Sequence, residues 1–100
     1  MDNQNQQNQI QVELSDEVAQ GTYSNLAIIS HSSSEFVIDF VRVVPGVPKA
    51  KVKSRIILTP EHAKRLLHAL NDNISKYESN NGTISIDSNI GFFPPVGGEA

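Results

Sequence analysis

The sequence predicts an α+β fold, in which an antiparallel four-stranded β-meander is followed by one amphipathic α-helix packed on one sheet face. Residues 10–14, 24–31, 35–44 and 50–58 either alternate apolar and polar side chains or concentrate β-branched and aromatic ones, as strands do. Short turns rich in Ser, Pro or Gly separate the last three strands. Apolar side chains after residue 60 then recur three and four positions apart, which is the spacing of one helix face.

The first predicted strand covers residues 10–14. Ile10, Val12 and Leu14 alternate with polar neighbours, and this period of two fits a strand with one buried face. The polar stretch 15–21 that follows is predicted to be a loop or turn.

The next two strands are predicted to form a hairpin across Ser32, Ser33 and Ser34. A tight turn at the serines would place Ile28 opposite Ile38. Register matters because a slip of one residue moves every side chain to the other face of the sheet.

The third and fourth strands are predicted to join through a turn at residues 45–48. Pro45 presets φ and Gly46 accepts a positive φ, which suits a type II turn. The matching register sets three cross-strand pairs, which are Phe36 with Leu58, Ile38 with Ile56 and Asp39 with Arg55.

The helix has clear start and stop signals. Thr59 is a suitable N-cap, Pro60 a suitable first residue, and Glu61 puts a negative charge near the positive end of the helix dipole. Residues 80–82, Asn-Asn-Gly, stop it. The predicted apolar stripe consists of Ala63, Leu66, Leu67, Leu70, Ile74 and Tyr77.

The chain of 100 residues has room for one domain. Residues 1–9 are rich in Asn and Gln and are predicted to be a disordered tail, and residues 91–100 a flexible Pro/Gly-rich tail. The single domain therefore spans 10–90. A core in so short a body is marginal, so a homo-oligomer is expected.

One helix covers one sheet face, yet the predicted central strand is apolar on both. The uncovered face is either an oligomer interface, or covered by the Phe92-Phe93 segment, or a surface for another protein. The residues assigned to this candidate oligomer or partner face are Ala27, Ile29, Val37, Val41, Val43 and Ile57.

The sequence lacks the common motifs of catalytic, metal and phosphate-binding sites. There is no Cys, and the three His lack the i, i+4 spacing of a helical metal site. No Ser lies in a nucleophile motif and no glycines form a phosphate loop. We therefore expect no catalytic residues, no metal, no cofactor and no enzymatic activity. No run is long enough to span a bilayer and no secretory signal is visible, so no membrane partner and a cytoplasmic location are expected.

Seven of the eight basic residues fall between positions 42 and 65, although the net charge is −3. This band is either a solvated sheet edge or an anion-binding face. Lysines on an edge strand also prevent edge-to-edge aggregation. The residues of the candidate anion-binding band are Arg42, Lys51, Lys53, Arg55, Lys64 and Arg65.

Two segments carry a family resemblance. Phe-Val-Ile-Asp-Phe at 36–40 and Arg-Ile-Ile-Leu-Thr-Pro at 55–60 resemble a family of short prokaryotic proteins, domain of unknown function 3467. That resemblance implies the fold unit and leaves the function open. The order of strands and helix is also similar, at the level of fold, to the export chaperone SecB, which implies an oligomer.

These observations predict a non-enzymatic binding or interaction protein that is a homo-oligomer and resembles a chaperone or adaptor. The alternative is a nucleic-acid-binding accessory protein that uses the basic band at 42–65. Affinity for nucleic acid would fall steeply with salt, whereas apolar binding would not.

Overall fold

The computed structural model describes residues 9–87 and shows an α+β fold, a three-stranded antiparallel sheet followed by one long helix. The strand order is β1-β2-β3, so β2 is central. The elements are α1 (Asp16–Ala19), β1 (Leu26–His31), β2 (Phe36–Arg42), β3 (Lys51–Leu58) and α2 (Pro60–Asn81). Residues 1–8 and 88–100, which hold most of both predicted tails and the Phe92-Phe93 segment, lie outside the described part.

The predicted first strand at 10–14 is wrong, because these residues pair with no other described part of the chain. A strand needs a neighbour for its backbone groups. Ser15 instead caps the single-turn helix α1, where its Oγ accepts a hydrogen bond from the Val18 N–H at 3.2 Å. The apolar alternation is real, but its side chains are left in solvent.

The β2–β3 hairpin has the predicted register, and the pairs Phe36 with Leu58, Ile38 with Ile56 and Asp39 with Arg55 are all present. The turn is also as predicted. The Val47 N–H donates to the Val44 carbonyl at 3.1 Å, and Gly46 has a φ of 84°. Further along, Phe40 pairs with Ser54 and Val41 with Val52, so Lys53 is an extra residue that forms a β-bulge.

The predicted β1–β2 register is wrong by one residue, since Ile38 pairs with Ile29 and not with Ile28. A four-residue loop, 32–35, replaces the tight serine turn. It closes through the Ser32 N–H to the Glu35 carbonyl at 2.9 Å, and the Ser32 Oγ accepts a further bond from the Glu35 N–H at 3.3 Å. Because of this shift, each β1 side chain lies on the opposite sheet face from the one predicted.

Helix α2 begins and ends as predicted. The His62 N–H donates to Thr59 Oγ1 at 3.2 Å, and Pro60 is the first helical residue. At the other end, Gly82 has a φ of 88° and its N–H donates to the Glu78 carbonyl at 3.0 Å. Each end of the helix therefore has a local cap.

The helix does not pack on a sheet face, which corrects that part of the predicted fold. Its contacts with the sheet are mainly with β3, the strand it follows. Since Thr59 alone connects β3 to α2, no loop lets the helix fold back over the sheet. Among the described residues only Ile38 and Val41 are buried apolar side chains, and they lie on opposite faces of β2.

Candidate functional site

The most exposed apolar feature of α2 is the side of the helix predicted to face the core. Its apolar side chains, spaced three and four apart, extend over about 21 Å at 1.5 Å per residue. Leu67 is 63 %, Leu70 54 % and Tyr77 53 % exposed. We call this surface the α2 stripe, and its large members are Leu66, Leu67, Leu70, Ile74 and Tyr77.

The six residues predicted to form one oligomer or partner face are divided between the two faces of the sheet. Cross-strand pairing puts Ala27 and Ile29 on the face of Ile38, whereas Val37 and Ile57 pair with each other on the opposite face. Val41 is on that second face and is buried between the outer strands, and Val43 lies beyond the end of β2. The prediction of one continuous patch is therefore wrong, because it depended on the incorrect β1 register.

Each sheet face nevertheless retains exposed apolar side chains at its outer strands. Ile29 on β1 and Ile56 on β3 flank the buried Ile38 on one face, with exposures of 54 % and 42 %. Val52 and Ile57, both on β3, are more than half exposed on the other face. Neither face is covered by α2, so the sheet and the helix both carry unburied apolar surface.

Arg55, one member of the predicted basic band, is committed to an ion pair. Its Nε and Nη2 donate to the two carboxylate oxygens of Asp39 at 2.6 and 2.8 Å, directly across the β2–β3 pair. The Asp39 side chain is only 14 % exposed. The hydrogen bonds from the Arg55 guanidinium hold the pKa of the Asp39 carboxyl below its ordinary value. Two parallel bonds fix both side chains and make Arg55 a poor ligand for another anion.

Arg65 is also paired, through its Nη2 with Glu61 Oε2 one helical turn away. Lys64 lies on α2, away from the sheet end where the strand lysines collect. The basic band therefore does not form one surface. The structure brings together only the members at the turn end of the β2–β3 hairpin, where Arg42 pairs with Lys51 and the bulge places Lys53 nearby.

That end of the sheet also holds an aromatic side chain that the sequence reasoning missed. The Arg42 guanidinium carbon lies 6.0 Å from the centre of the Tyr23 ring, and Tyr23 is 67 % exposed. This is a cation–π distance. Tyr23 is 19 positions from Arg42 in sequence, and the pairing of β1 with β2 brings the two side chains together.

The remaining polar groups do not assemble into a recognisable reaction centre within residues 9–87. This part of the chain has no group of three or more His, Asp or Glu able to hold a metal ion. A shallow hollow of about 280 Å³ at the start of α2 is lined by Thr59, Glu61, His62 and Arg65. His31 stacks on Phe36 with ring centres 5.2 Å apart. The expectation that the protein is not an enzyme stays a prediction.

Fold and surface together define a small α+β domain with unburied apolar surface on both its sheet and its helix. The chain belongs to the family described as "Protein of unknown function (DUF3467)", whose sequence model matches residues 1–86. No curated protein and no solved structure matches the chain, so the likeness to SecB stays a prediction. Within 9–87, no helix combines the length and the apolar character needed to cross a membrane.

Proposed function

We propose that the protein is a non-enzymatic binding protein that acts as a homo-oligomer in the cytoplasm, the compartment expected from the sequence. Its apolar surface would hold a protein segment, as a chaperone or adaptor does. The observation that carries this proposal is the exposure of the α2 stripe. An amphipathic helix normally buries that side against its own domain, and here no described part of the domain covers it.

The free energy available from covering the α2 stripe is large for so small a chain. Full burial of a large aliphatic side chain is worth about 1.5–3 kcal/mol, so covering the exposed half of each residue in the α2 stripe gives about 1 kcal/mol per residue. Five such residues give about 5 kcal/mol per helix. That is comparable with the whole stability of a small domain, which is about 5–15 kcal/mol.

A second copy of the chain is the partner best matched to this need. Only Ile38 and Val41 are buried among the described apolar residues, and small domains with a limited core commonly gain stability by self-association. Other copies of the chain are always present in the same solution, whereas a separate ligand is present only at times. Once self-association covers part of the apolar surface, the exposed apolar side chains of β3 remain for a further protein segment.

The test is the mass of the folded protein across a dilution series, measured by sedimentation or by light scattering. We expect a discrete oligomer that dissociates on dilution, with loss of α-helical circular dichroism as α2 loses its cover. A folded monomer at every concentration would overturn the proposal. Weak binding of an apolar dye to the oligomer and strong binding to a destabilised variant would support burial of the α2 stripe.

A second candidate function is the binding of single-stranded nucleic acid at the turn end of the β2–β3 hairpin. The observation that favours it is the exposed Tyr23 ring beside Arg42, close to Lys51 and Lys53. Proteins that bind single-stranded nucleic acid combine aromatic rings, on which bases stack, with nearby cations. The net charge of −3 works against it.

This second function is tested with a fluorescent oligonucleotide at low and moderate salt. Binding that weakens steeply with salt, and that Lys51→Gln and Lys53→Gln reduce, would favour it. Lys64→Gln is the control, because it removes an equal charge from α2 instead of the hairpin end. No binding at low salt would exclude this function.

A further inference from the structure

We propose that the segment 10–14 of one chain pairs, as an additional strand, with the open edge of β1 in a second copy of the chain. This inference rests on the proposed homo-oligomer and names one of its contacts. It joins two features that each lack a partner within the described chain, a strand-like segment with no sheet and a sheet edge with no neighbour.

The open edge of β1 has a defined set of free backbone groups. In an antiparallel pair, residues that exchange hydrogen bonds alternate with residues that do not. The Ser32 N–H bonds the Glu35 carbonyl, and these two residues continue the β1–β2 register. Counting back along β1 from this hydrogen-bonded pair, every second residue bonds to β2 and the residues between them do not. The N–H and C=O groups of Ala27, Ile29 and His31 therefore point away from β2, towards the side where no described strand lies.

The two edges of the sheet differ in how they are protected. Edge strands commonly avoid pairing with other chains by carrying charges or a bulge. The edge strand β3 has both, since it holds Lys51, Lys53 and Arg55, and its bulge lies at Lys53. The other edge strand, β1, reads Leu-Ala-Ile-Ile-Ser-His and has no Lys, Arg, Asp, Glu or Pro. Pairing through β1 therefore meets no charge repulsion.

The segment 10–14 has the matching properties. Ile10, Val12 and Leu14 alternate with polar residues, the pattern of a half-buried strand, yet they are 85 %, 87 % and 68 % exposed. The segment forms no ladder with its own β1. Helix α1 and the positive φ of 81° at Gly21 lie between the two. Such an element can be exchanged between identical chains, as in domain swapping, and here the exchange would supply a ladder that the single copy lacks.

The burial of β1 also indicates which side the added strand would cover. Leu26, Ile28 and Ser30 are half-buried, whereas Ala27, Ile29 and His31 on the opposite face are exposed. We assign the apolar side of the added strand to the face of Ile29, beside the exposed side chains. The completed sheet would have four strands, the number that the sequence pattern predicts, with the first strand supplied by the other copy.

The chain has no Cys, so introduced thiols are unique probes. A chain with Val12→Cys and Ile29→Cys carries one thiol in each proposed partner strand, at positions exposed in the single copy. Neighbouring strands are about 4.8 Å apart and positions two residues along are about 7 Å further, so a short bismaleimide tolerates a modest error in register. The matched control carries Val12→Cys and Val52→Cys, which moves the second thiol to β3.

We expect the Val12/Ile29 chain to be cross-linked into a species of twice the chain mass, and the Val12/Val52 chain to remain mostly unlinked. Linkage within one chain, at the mass of a monomer, would overturn the inference. So would efficient dimer formation by Ile29→Cys alone, because that result would mean that β1 pairs with β1. Either result in a protein that sediments as an oligomer leaves the proposed function standing, whereas a monomeric wild-type chain overturns both.

A pair of single substitutions gives an independent readout. Val12→Asp places a charge on the apolar side of the segment, and Gln11→Asp places the same charge on its polar side. Neither residue belongs to the sheet of its own chain. We expect Val12→Asp to raise the dissociation constant of the oligomer at least about tenfold and Gln11→Asp to change it little. Equal effects of the two variants would overturn the inference.

Discussion

Replacing Leu67 by Gln tests whether the α2 stripe is buried between copies of the chain. Leu67 is 63 % exposed in the single copy, so nearly two thirds of its side chain is available to a partner. Full burial of Leu is worth about 1.5–3 kcal/mol, so this share is about 1–2 kcal/mol per copy. A dimer loses it twice, about 2–4 kcal/mol, and its dissociation constant should rise roughly 30- to 700-fold.

The assay is sedimentation equilibrium of the wild type and of Leu67→Gln over a wide range of concentration. His68→Gln is the control, because His68 is the next residue of the same helix and lies off the α2 stripe. We expect the control to have a dissociation constant close to that of the wild type. An unchanged constant for Leu67→Gln, or an equal change in both variants, would refute the assignment of the α2 stripe to the interface.

Three further substitutions test the ion pair, the helix cap and the hairpin turn. Arg55 lowers the pKa of the Asp39 carboxyl. The stabilisation from this ion pair is therefore fully present above the pKa that Asp39 has in the unfolded chain, and it is lost as the pH falls through the lower pKa of the folded protein. The difference in melting temperature between the wild type and Arg55→Gln should shrink below about pH 4. Thr59→Ala removes the acceptor for the His62 N–H and should cost about 1 kcal/mol in urea unfolding, while Thr59→Ser retains most of it. Gly46→Ala puts a side chain at a φ of 84° and should cost about 1–2 kcal/mol by the same measurement.

Local sequence signals predicted the parts of the fold that local chemistry controls. Thr59 and Pro60 set the start of α2, and Gly82 follows its end. In the β2–β3 hairpin, Pro45 and Gly46 determine the turn, and the turn determines the register. In each case the backbone conformation follows from residue types within a few positions.

The wrong predictions concern features that depend on contacts beyond the local sequence. The three serines are compatible with loops of more than one length, and the bond from Ser32 to Glu35 selects the longer one. The one additional loop residue moves Ala27 and Ile29 to the other face of the sheet and removes the predicted patch. Periodicity likewise showed that α2 has an apolar side, but periodicity does not say whether the surface that covers it belongs to the same chain.

Tyr23 and Arg42 illustrate the same limit for the candidate sites. The sequence showed a basic band and predicted that Arg55 lies opposite Asp39, but it did not show that Arg65 is paired with Glu61. Nor did it place an aromatic ring beside Arg42. Charge density along a chain predicts where cations are found, whereas their pairing depends on cross-strand and helical neighbours.

The lysines and the bulge on β3 have a consequence for how far assembly can proceed. A sheet with two receptive edges can add strands at both and grow without limit, which is the route to fibrils. Here the β3 edge resists such addition, so each sheet can be extended only at β1. Under the proposed pairing, strands are added only on the β1 side of each sheet, and the lysines and bulge of β3 oppose the joining of whole sheets edge to edge.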